Sequence, residues 1–514
     1  MKKKILGIFV CMLFIAATVL PVAGTLNENK TKVEKKGIID SQTVTGTNSG
    51  TDWWTMFRHD PQHSGYSTSA APITNHRLWE YGTGGAEYDF LSSPAVFDYK
   101  VYVGVNENLY CLNATTTNPS GYLEWSYQTN EVVNSSPAIY EGKVYFCDDF
   151  GSLYCLDAKT GTWIWETWLW GFGQSSPTVV DDKVYVGSDD RSTYRFLWCI
   201  DADTGDFIWL FTTNYPGVSS PAVSDGYVYF SDAQNVYCLP MDDPDGSTVI
   251  EPDEVIWTEP IPASVSSPAV ADGYVYIGSD NGRVYCLNAS TGDHEWLTQK
   301  DVYSSSPAVA DGYVFIGSED HNMYCLYADS GQTKWTQPTT GPIFSSPAVA
   351  DGKVYFGVYY GKTGGSYNTE MFCLNATTGN EIWRWITGNP IISSPAVALG
   401  NVYIITYDLV MAFGSYPDID ITHITGGLGV TAVIKNNGNG SATDVEWRIG
   451  AHGGLLGLVD EEENDTIPRL DPGESQSVST GIFLGFGPIS IYATADDAGV
   501  EKRGTQIIIF TLIR

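Results

Sequence analysis

Basic residues are scarce in this chain. Against 60 Asp and Glu stand 27 Lys and Arg in 514 residues, a formal net charge of −33. Residues 1–36 hold 7 of the basic residues and 2 of the acidic ones, so the remainder is more acidic still. A surface of that sign serves solubility and repels phosphate backbones and anionic headgroups, which argues against nucleic acid as a partner. Charged residues of both signs reach only 17% while aromatics reach 13%, which excludes a disordered chain. Beyond the first two dozen residues no apolar run is long enough to span a membrane. No two cysteines are adjacent, and none has the spacing of a zinc site.

What the chain has in abundance is one pattern. Residues 266–296, SSPAVADGYVYIGSDNGRVYCLNASTGDHEW, hold four apolar runs separated by turn residues. Ala269-Val270 is stopped by Asp272-Gly273, residues 275–277 by Asp280-Asn281-Gly282, and residues 284–287 by Ser290-Thr291-Gly292; Glu295-Trp296 opens the fourth. Gly, and to a lesser degree Asn, tolerates the positive φ of tight hairpins. The runs are β-branched and aromatic, which suits half-buried strands. One such meander cannot bury both its faces, and copies follow. Ser-Ser-Pro recurs eight times, with its proline at Pro94, Pro137, Pro177, Pro221, Pro268, Pro307, Pro347 and Pro395, in steps of 39 to 48 residues. A period near 40 with four strands per unit is the signature of propeller blades.

The unit runs through a Pro-Ala-Val strand, a Val-Tyr strand, a Leu-Tyr-Cys/Ala-Leu strand, Thr-Gly and Trp. It resembles the pyrroloquinoline-quinone-type (PQQ-like) propeller repeat over about residues 78–413. Trp125, Trp165, Trp209, Trp257, Trp296, Trp335 and Trp383 follow the first seven triplets. The eighth unit, residues 393–413, has three strands and no terminal Trp, while Leu78-Trp79-Glu80-Tyr81 precedes the first unit with nothing to complete. Pairing that early strand with the last three gives an eighth blade and removes exposed edges. The expected fold is all-β: an eight-bladed β-propeller closed by an N-terminal strand. The tryptophans, one per blade, are expected to fill the wedges between sheets rather than to form a ligand cage. Seven cysteines (Cys111, Cys155, Cys199, Cys238, Cys286, Cys325 and Cys373) share the third-strand position, where the eighth unit has Ala412, and read as small buried hydrophobes. Only Cys147 and Cys155 share a hairpin closely enough for a bridge to be considered.

Met1-Lys2-Lys3-Lys4, an apolar run from residue 5 to about 23, and small residues at Ala23-Gly24 read as an export segment over residues 1–24. It is either a cleaved signal or an uncleaved anchor. Either way the protein is expected outside the cytoplasm, extracellular or at the cell surface. Residues 25–52 are polar and read as a flexible linker. The stretch Trp53-Trp54-Thr55-Met56-Phe57-Arg58-His59-Asp60-Pro61-Gln62-His63-Ser64-Gly65 looks like the lead-in found before many PQQ-type propellers. Its His59, Asp60 and His63 are of metal-ligand type, but packing of its aromatics against the propeller is the expected role. The propeller domain is placed at 53–414.

Loops before Ser-Ser-Pro and loops after the second strand share one face. The residues just before each Ser-Ser pair differ (Leu91, Asn134, Gln174, Val218, Val265, Ser304, Phe344 and Ile392), so a constant frame carries an individual rim. Two longer excursions, residues 189–197 and 359–369, rise there. The expected binding face is therefore Tyr194, Arg195, Phe344, Tyr359, Tyr360 and Tyr367. On the opposite face an acidic insertion at 242–254 makes Asp242, Asp243 and Asp245 candidate calcium ligands, without the spacing of a defined calcium loop. Asn113, Asn288 and Asn375 open Asn-X-Ser/Thr triplets in equivalent turns and are candidates for N-glycosylation.

Past Gly414 the repeat stops. Residues 415–514 carry alternating apolar runs at 419–424, 430–435, 445–449, 477–483, 489–493 and 506–512, which suggest about seven short strands and a β-sandwich. The stretch KNNGNGSATDV (435–445) resembles the immunoglobulin-like adhesion-type (CARDB-like) modules of prokaryotic surface proteins, which serve as spacers or contact domains.

In the quinoprotein dehydrogenases that share the repeat, PQQ is gripped by a stacking Trp, a disulfide of adjacent cysteines, and calcium held by carboxylate and amide side chains. This chain has no Cys-Cys pair and lacks the long insertions that wall in the cofactor. The resemblance thus implies the fold and not the activity. It lies closer to non-catalytic propellers, including the propeller lipoprotein of the outer-membrane barrel-assembly machinery. The expectation is a non-catalytic scaffold binding protein or glycan at the cell surface, without a cofactor, meeting the membrane only through its N-terminal segment if that is uncleaved. The alternative is a PQQ-dependent quinoprotein oxidoreductase.

Overall fold

The computed structural model describes residues 52–513 except 85–91, 116–121, 174, 190–194, 264–265, 360–368, 387–390, 392, 416–418, 427–429, 439–441, 454–458, 472, 481–485, 496–497 and 508–509. The export segment and nearly all of the linker lie outside the described residues.

Each repeat folds as its turn residues dictate. In the fifth, the strands Ala269–Ala271, Tyr274–Ser279, Arg283–Asn288 and His294–Gln299 form one antiparallel sheet. Its first hairpin turns on Asp272 and Gly273, both at positive φ (52° and 82°), the conformation of a tight two-residue hairpin loop. Eight such sheets follow in order, and one of them gains a fifth strand, Tyr66–Ser67. The first strand of each blade lies beside the first strands of its two neighbours, and the last returns to the first, so the ring is closed at eight blades. The expected closure holds: Arg77–Gly82 pairs antiparallel with Leu409–Gly414, with Trp79 opposite Ala412.

The Ser-Ser-Pro triplet turns out to be the frame itself. In all eight units the Oγ of the first serine accepts the backbone N–H of the residue twelve positions on, in the second strand, as Ser266 does from Gly278 at 3.1 Å. That bond ties the blade to itself. The second serine donates its backbone N–H to the Oγ of the second serine in the next blade, as Ser93 does to Ser136 and, across the closure, Ser394 to Ser93. Seven links of this relay lie at 2.9–3.2 Å. These serines are buried, so each bond satisfies a group that would otherwise cost about 1–3 kcal/mol.

The tryptophans fill the wedges as expected, and each also grips. Trp125, Trp165, Trp209, Trp257, Trp296 and Trp335 donate Nε1–H to a carbonyl in the third turn of the following blade, and Trp79 reaches Ala114 in the first. Blade 8 has no such turn, and Trp383 finds the carbonyl of Pro72 instead. In six blades a second-strand tyrosine, such as Tyr102 or Tyr355, donates to the same carbonyl as the Trp.

All eight cysteines of the described chain are free and buried. Tyr145 faces Cys155 and Cys147 faces Leu153, so the two cysteines that share a hairpin sit diagonally, beyond the reach of a disulfide.

The C-terminal region forms eight strands rather than about seven. Ile419–Gly426, Val430–Asn436 and Ser475–Ser479 make one sheet; Val459–Leu470, Ala442–Gly453, Phe486–Ala495, Ala498–Ile507 and Phe510–Ile513 make the other. Val430, Ala432 and Ile434 of the first sheet and Val445, Ile449, Ala493 and Ala495 of the second share one buried core. Two strands are absent from the sequence reading: Ala498–Ile507, of which the last run caught only the end, and Val459–Leu470, which carries Asp460, Glu461, Glu462, Glu463 and Asp465. Val459–Leu470 lies at the edge of its sheet, and its run of carboxylates shows no apolar alternation.

Candidate functional site

The lead-in segment fills the axis of the ring. Along each first strand, the N–H groups that do not face the second strand point toward the channel. Carbonyls of the lead-in meet them in turn: Trp54 to Val96, Thr55 to Ile139, Pro61 to Val223, Gln62 to Val270, Ser64 to Val309 and Gly65 to Val349, at 2.6–2.9 Å. Six blades are thus bound by main chain alone, and a seventh through a side chain, His63 Nε2 lying 3.0 Å from Thr178 Oγ1. The aromatics pack against the propeller as expected: Trp54 is buried in its core, Trp53 stands edge-on to Phe97 and Tyr99, and Tyr66 packs on the core of blades 6 and 7.

Arg58, buried, donates from Nη1 to the Pro347 carbonyl and from Nη2 to the Pro307 carbonyl, joining the neighbouring blades 6 and 7 from the axis. Burial lowers its pKa to about 9, against the support of Asp60. His59 lies between Asp52 (3.0 Å) and Asp60 (3.1 Å). Burial works against its proton, but the two carboxylates outweigh burial and raise its pKa to about 9. Asp60 is held low despite burial by His59 and Ser64. His63 has burial as its main influence and falls to about 3, so it is neutral. The three metal-type residues thus divide in two: His59 and Asp60 join Asp52 in a charged cluster, and neutral His63 is bonded to blade 3.

Of the expected binding face, Tyr194, Tyr360 and Tyr367 lie outside the described residues, as do Leu91, Gln174, Val265 and Ile392 of the rim. Phe344 and Tyr359 are brought together, half-buried, with ring centroids 5.7 Å apart. Arg195 is turned inward onto Asp189, Nε to Oδ1 3.4 Å. Between blades 5 and 6 a cavity of about 430 Å³ opens on this face, lined by Asp280, Asn281, Gly282, Asp301, Val302, Tyr303, Glu319 and Asp320.

A group of exposed aromatic residues on this face was not expected. Phe150 in the second turn of blade 2, and Trp168, Trp170 and Phe172 where that blade passes to blade 3, stand 61%, 56%, 51% and 36% exposed. The signal in the sequence was WETWLWGFG at 165–173, where the strand-ending Trp165 drew notice as a wedge and the aromatics after it did not.

On the opposite face Asp243, Asp245 and Glu254 come within 4.8 Å of one another, but Asp242 does not join them; it pairs with Lys183 at 2.8 Å. Asp243 also accepts the backbone N–H groups of Asp245 and Thr248, as a turn-forming carboxylate does. Asn113, Asn288 and Asn375 share a turn role too. Each Oδ1 accepts from residues two or three positions on, as Asp157 and Asp201 do in blades 2 and 3. Their recurrence with Ser or Thr is thus accounted for by the turn.

The sequence profile described as "Outer membrane protein assembly factor BamB" matches residues 117–214, 218–298 and 297–359. No curated protein matches the chain. Among solved structures, the europium-containing methanol dehydrogenase is similar at 15% identity and a TM-score of 0.56, over 69% of this chain and 89% of the other. BamB from Moraxella catarrhalis is similar at 17% and 0.52, over 66% and 97%. The computationally designed Ika8 protein is similar at 14% and 0.52, over 68% and 99%. An enzyme, an assembly factor and a designed protein share this ring, so its form alone assigns no chemistry. With eight copies of the repeat, the closed ring of four-stranded sheets and these likenesses together, the chain is a PQQ-like β-propeller repeat protein.

Proposed function

We propose that this protein is a non-catalytic propeller scaffold, exported from the cytoplasm, that binds a protein partner on the face carrying the Ser-Ser-Pro loops. The observation that supports this most is the use of the axis. The chain's own residues 54–67 occupy it, bonded to seven of the eight blades, which leaves recognition to the loops. The frame is constant and buried while the loops differ from blade to blade, as in a scaffold that displays one particular surface. The match to the BamB profile favours a protein partner over a glycan.

The quinoprotein reading has little to rest on in these residues. The resemblance calls for an adjacent-cysteine disulfide, whereas the described cysteines are separate, buried thiols. Burial pushes Cys111, Cys155, Cys238, Cys286, Cys325 and Cys373 up to about 12. Among the described residues no helix is long and apolar enough to cross a membrane; export is argued from the sequence of residues 1–24.

Two measurements test the proposal. Cross-linking on intact cells with the full chain is expected to recover one protein partner reproducibly. The purified protein, mixed with PQQ and calcium, is expected to show no quinone absorbance after gel filtration. Stoichiometric uptake of PQQ with dye-linked alcohol oxidation would replace the scaffold reading with the enzymatic one.

A further inference from the structure

Resting on the scaffold reading, we propose that Phe150, Trp168, Trp170 and Phe172 form the docking surface for a partner-protein segment that combines apolar side chains with lysine or arginine. The four rings lie on two backbone segments in direct contact. Leu169, fully buried, donates its N–H to the Gly151 carbonyl (2.8 Å), and its own carbonyl accepts from Ser188 Oγ (2.8 Å). Phe172 exchanges both backbone bonds with Asp189 (2.9 and 3.3 Å). A Cβ on Gly151 would lie 1.7 Å from the Gly171 carbonyl oxygen, and one on Gly173 would lie 2.7 Å from that of Asp148. The two turns therefore meet main chain to main chain, at a spacing only glycine allows.

The two tryptophan side chains are held in place as well. Trp168 points Nε1 at the Phe150 carbonyl (3.4 Å). Trp170 adopts φ +51°, a conformation that costs a bulky residue energy, and stands edge-on to Trp198 at 5.4 Å. Trp198 is itself buried and bonded to Ser188 Oγ. Large rings that are exposed yet fixed lose little entropy on meeting a partner, which is the character of a preorganised contact.

The frame does not ask for these rings. Counted from the blade tryptophan, the places of Trp168 and Trp170 hold Gln128 and Asn130 in blade 1 and Pro338 and Thr340 in blade 6. Exposed aromatic rings gathered on two touching turns, at places the repeat fills elsewhere with small or polar residues, mark an interaction surface.

Its surroundings choose the partner's charge. Glu131 and Glu166 are exposed beside it; Asp149 precedes Phe150 and is joined through its N–H to Val132, the neighbour of Glu131. The described cation that comes nearest, Arg195, is mostly buried against Asp189 (3.4 Å), the backbone partner of Phe172, and Lys143 lies at the other end of the blade, paired with Asp203. Carboxylates around aromatic rings suit a cationic, apolar segment. They disfavour anionic lipid, and a second copy of a chain with net charge −33.

The test uses the full chain and a soluble peptide of alternating leucine and arginine in 150 mM salt, followed by tryptophan fluorescence and calorimetry. Saturable binding is expected, weakened about tenfold or more by combined Trp168→Ser and Trp170→Ser with an unchanged thermal midpoint. A version with glutamate in place of arginine should not bind. Should the double variant fail to fold, Phe150→Ser, a change at the most exposed of the four, is expected to weaken binding about threefold or more. Equal binding by folded variants, or equal binding of the glutamate peptide, would overturn the proposal. So would patch-dependent binding of phosphatidylcholine vesicles or cellohexaose without a peptide response. Cross-linking separates the two levels of inference. A partner recovered equally by wild type and double variant leaves the scaffold reading standing and removes this surface, whereas no partner with wild type ends both.

Discussion

His59 and His63 sit four residues apart in the channel and are perturbed in opposite directions. An ordinary histidine titrates near 6.5. His59, paired with Asp52 and Asp60, keeps its proton up to about 9 in the folded protein, so its contribution is full below about 6.5 and is lost as pH rises toward 9. Buried His63 refuses a proton down to about 3, whereas the unfolded chain accepts one below about 6.5; its effect is to remove stability as pH falls from 6.5 toward 3. Asp60, held low, adds to the loss below its ordinary value of 3.8. The plug is therefore firmest near pH 6.5. Urea midpoints at pH 5, 6.5 and 8.5 should show the alkaline loss reduced in His59→Gln and the acid loss reduced in His63→Gln. An alkaline decline of full size in His59→Gln would contradict the assignment. At this scale the sequence showed which residues recur and hid what they bond to. Ser-Ser-Pro could be counted, but that one serine holds its own blade and the other the next depends on strand register. Likewise, His59, Asp60 and His63 are close in sequence, but only the structure shows that His59 joins Asp52 and Asp60 while His63 turns to Thr178.

Among the described residues, five blades are joined to the next by a tryptophan seated on a glycine: Trp125, Trp165, Trp257, Trp296 and Trp335. A Cβ on Gly331 (φ +65°) would lie 2.4 Å from the Trp296 ring, while Gly273 (φ +82°) has open space around it. Gly273→Ala is expected to cost about 1–2 kcal/mol from backbone conformation alone. Gly331→Ala adds about 1–3 kcal/mol of overpacking in the wedge. Thermal denaturation of the two variants side by side checks the order, and equal losses would mean that the Trp296 ring moves aside freely. Strands punctuated by Asp-Gly and Thr-Gly were legible because their turns require those residues. The edge strand Val459–Leu470 was not, since five carboxylates replace the apolar alternation that betrays a strand. The aromatic turn at 168–172 was hidden for the opposite reason: in a chain where Trp recurs in every blade, further tryptophans look like frame.

For the whole molecule, the eight-blade count and the shared last blade could be read from an imbalance, eight triplets with seven strand-ending tryptophans after them and one unmatched strand, Leu78-Trp79-Glu80-Tyr81, ahead. The plug could not, because main-chain carbonyls leave no mark in the residue types. Deleting residues 52–82 removes the axis, the Pro72 carbonyl that Trp383 holds and the edge strand that covers Leu409–Gly414. The expected product aggregates and is cut rapidly by trypsin. Deleting residues 415–514 is expected to leave one cooperative propeller transition, and its loss would move the domain boundary. The same connections impose an order on biosynthesis. The lead-in is made before any blade, yet Arg58 waits for a carbonyl 289 positions later, and Arg77–Gly82 waits for Leu409–Gly414. Pairing over such separations is slow and leaves intermediates open at their edges. A chain that stops short of Gly414 therefore lacks its seal however many sound blades precede the break, and its loose end marks it for proteolysis. Ring closure thus doubles as a check on completion, in which the first part of the protein inspects the last.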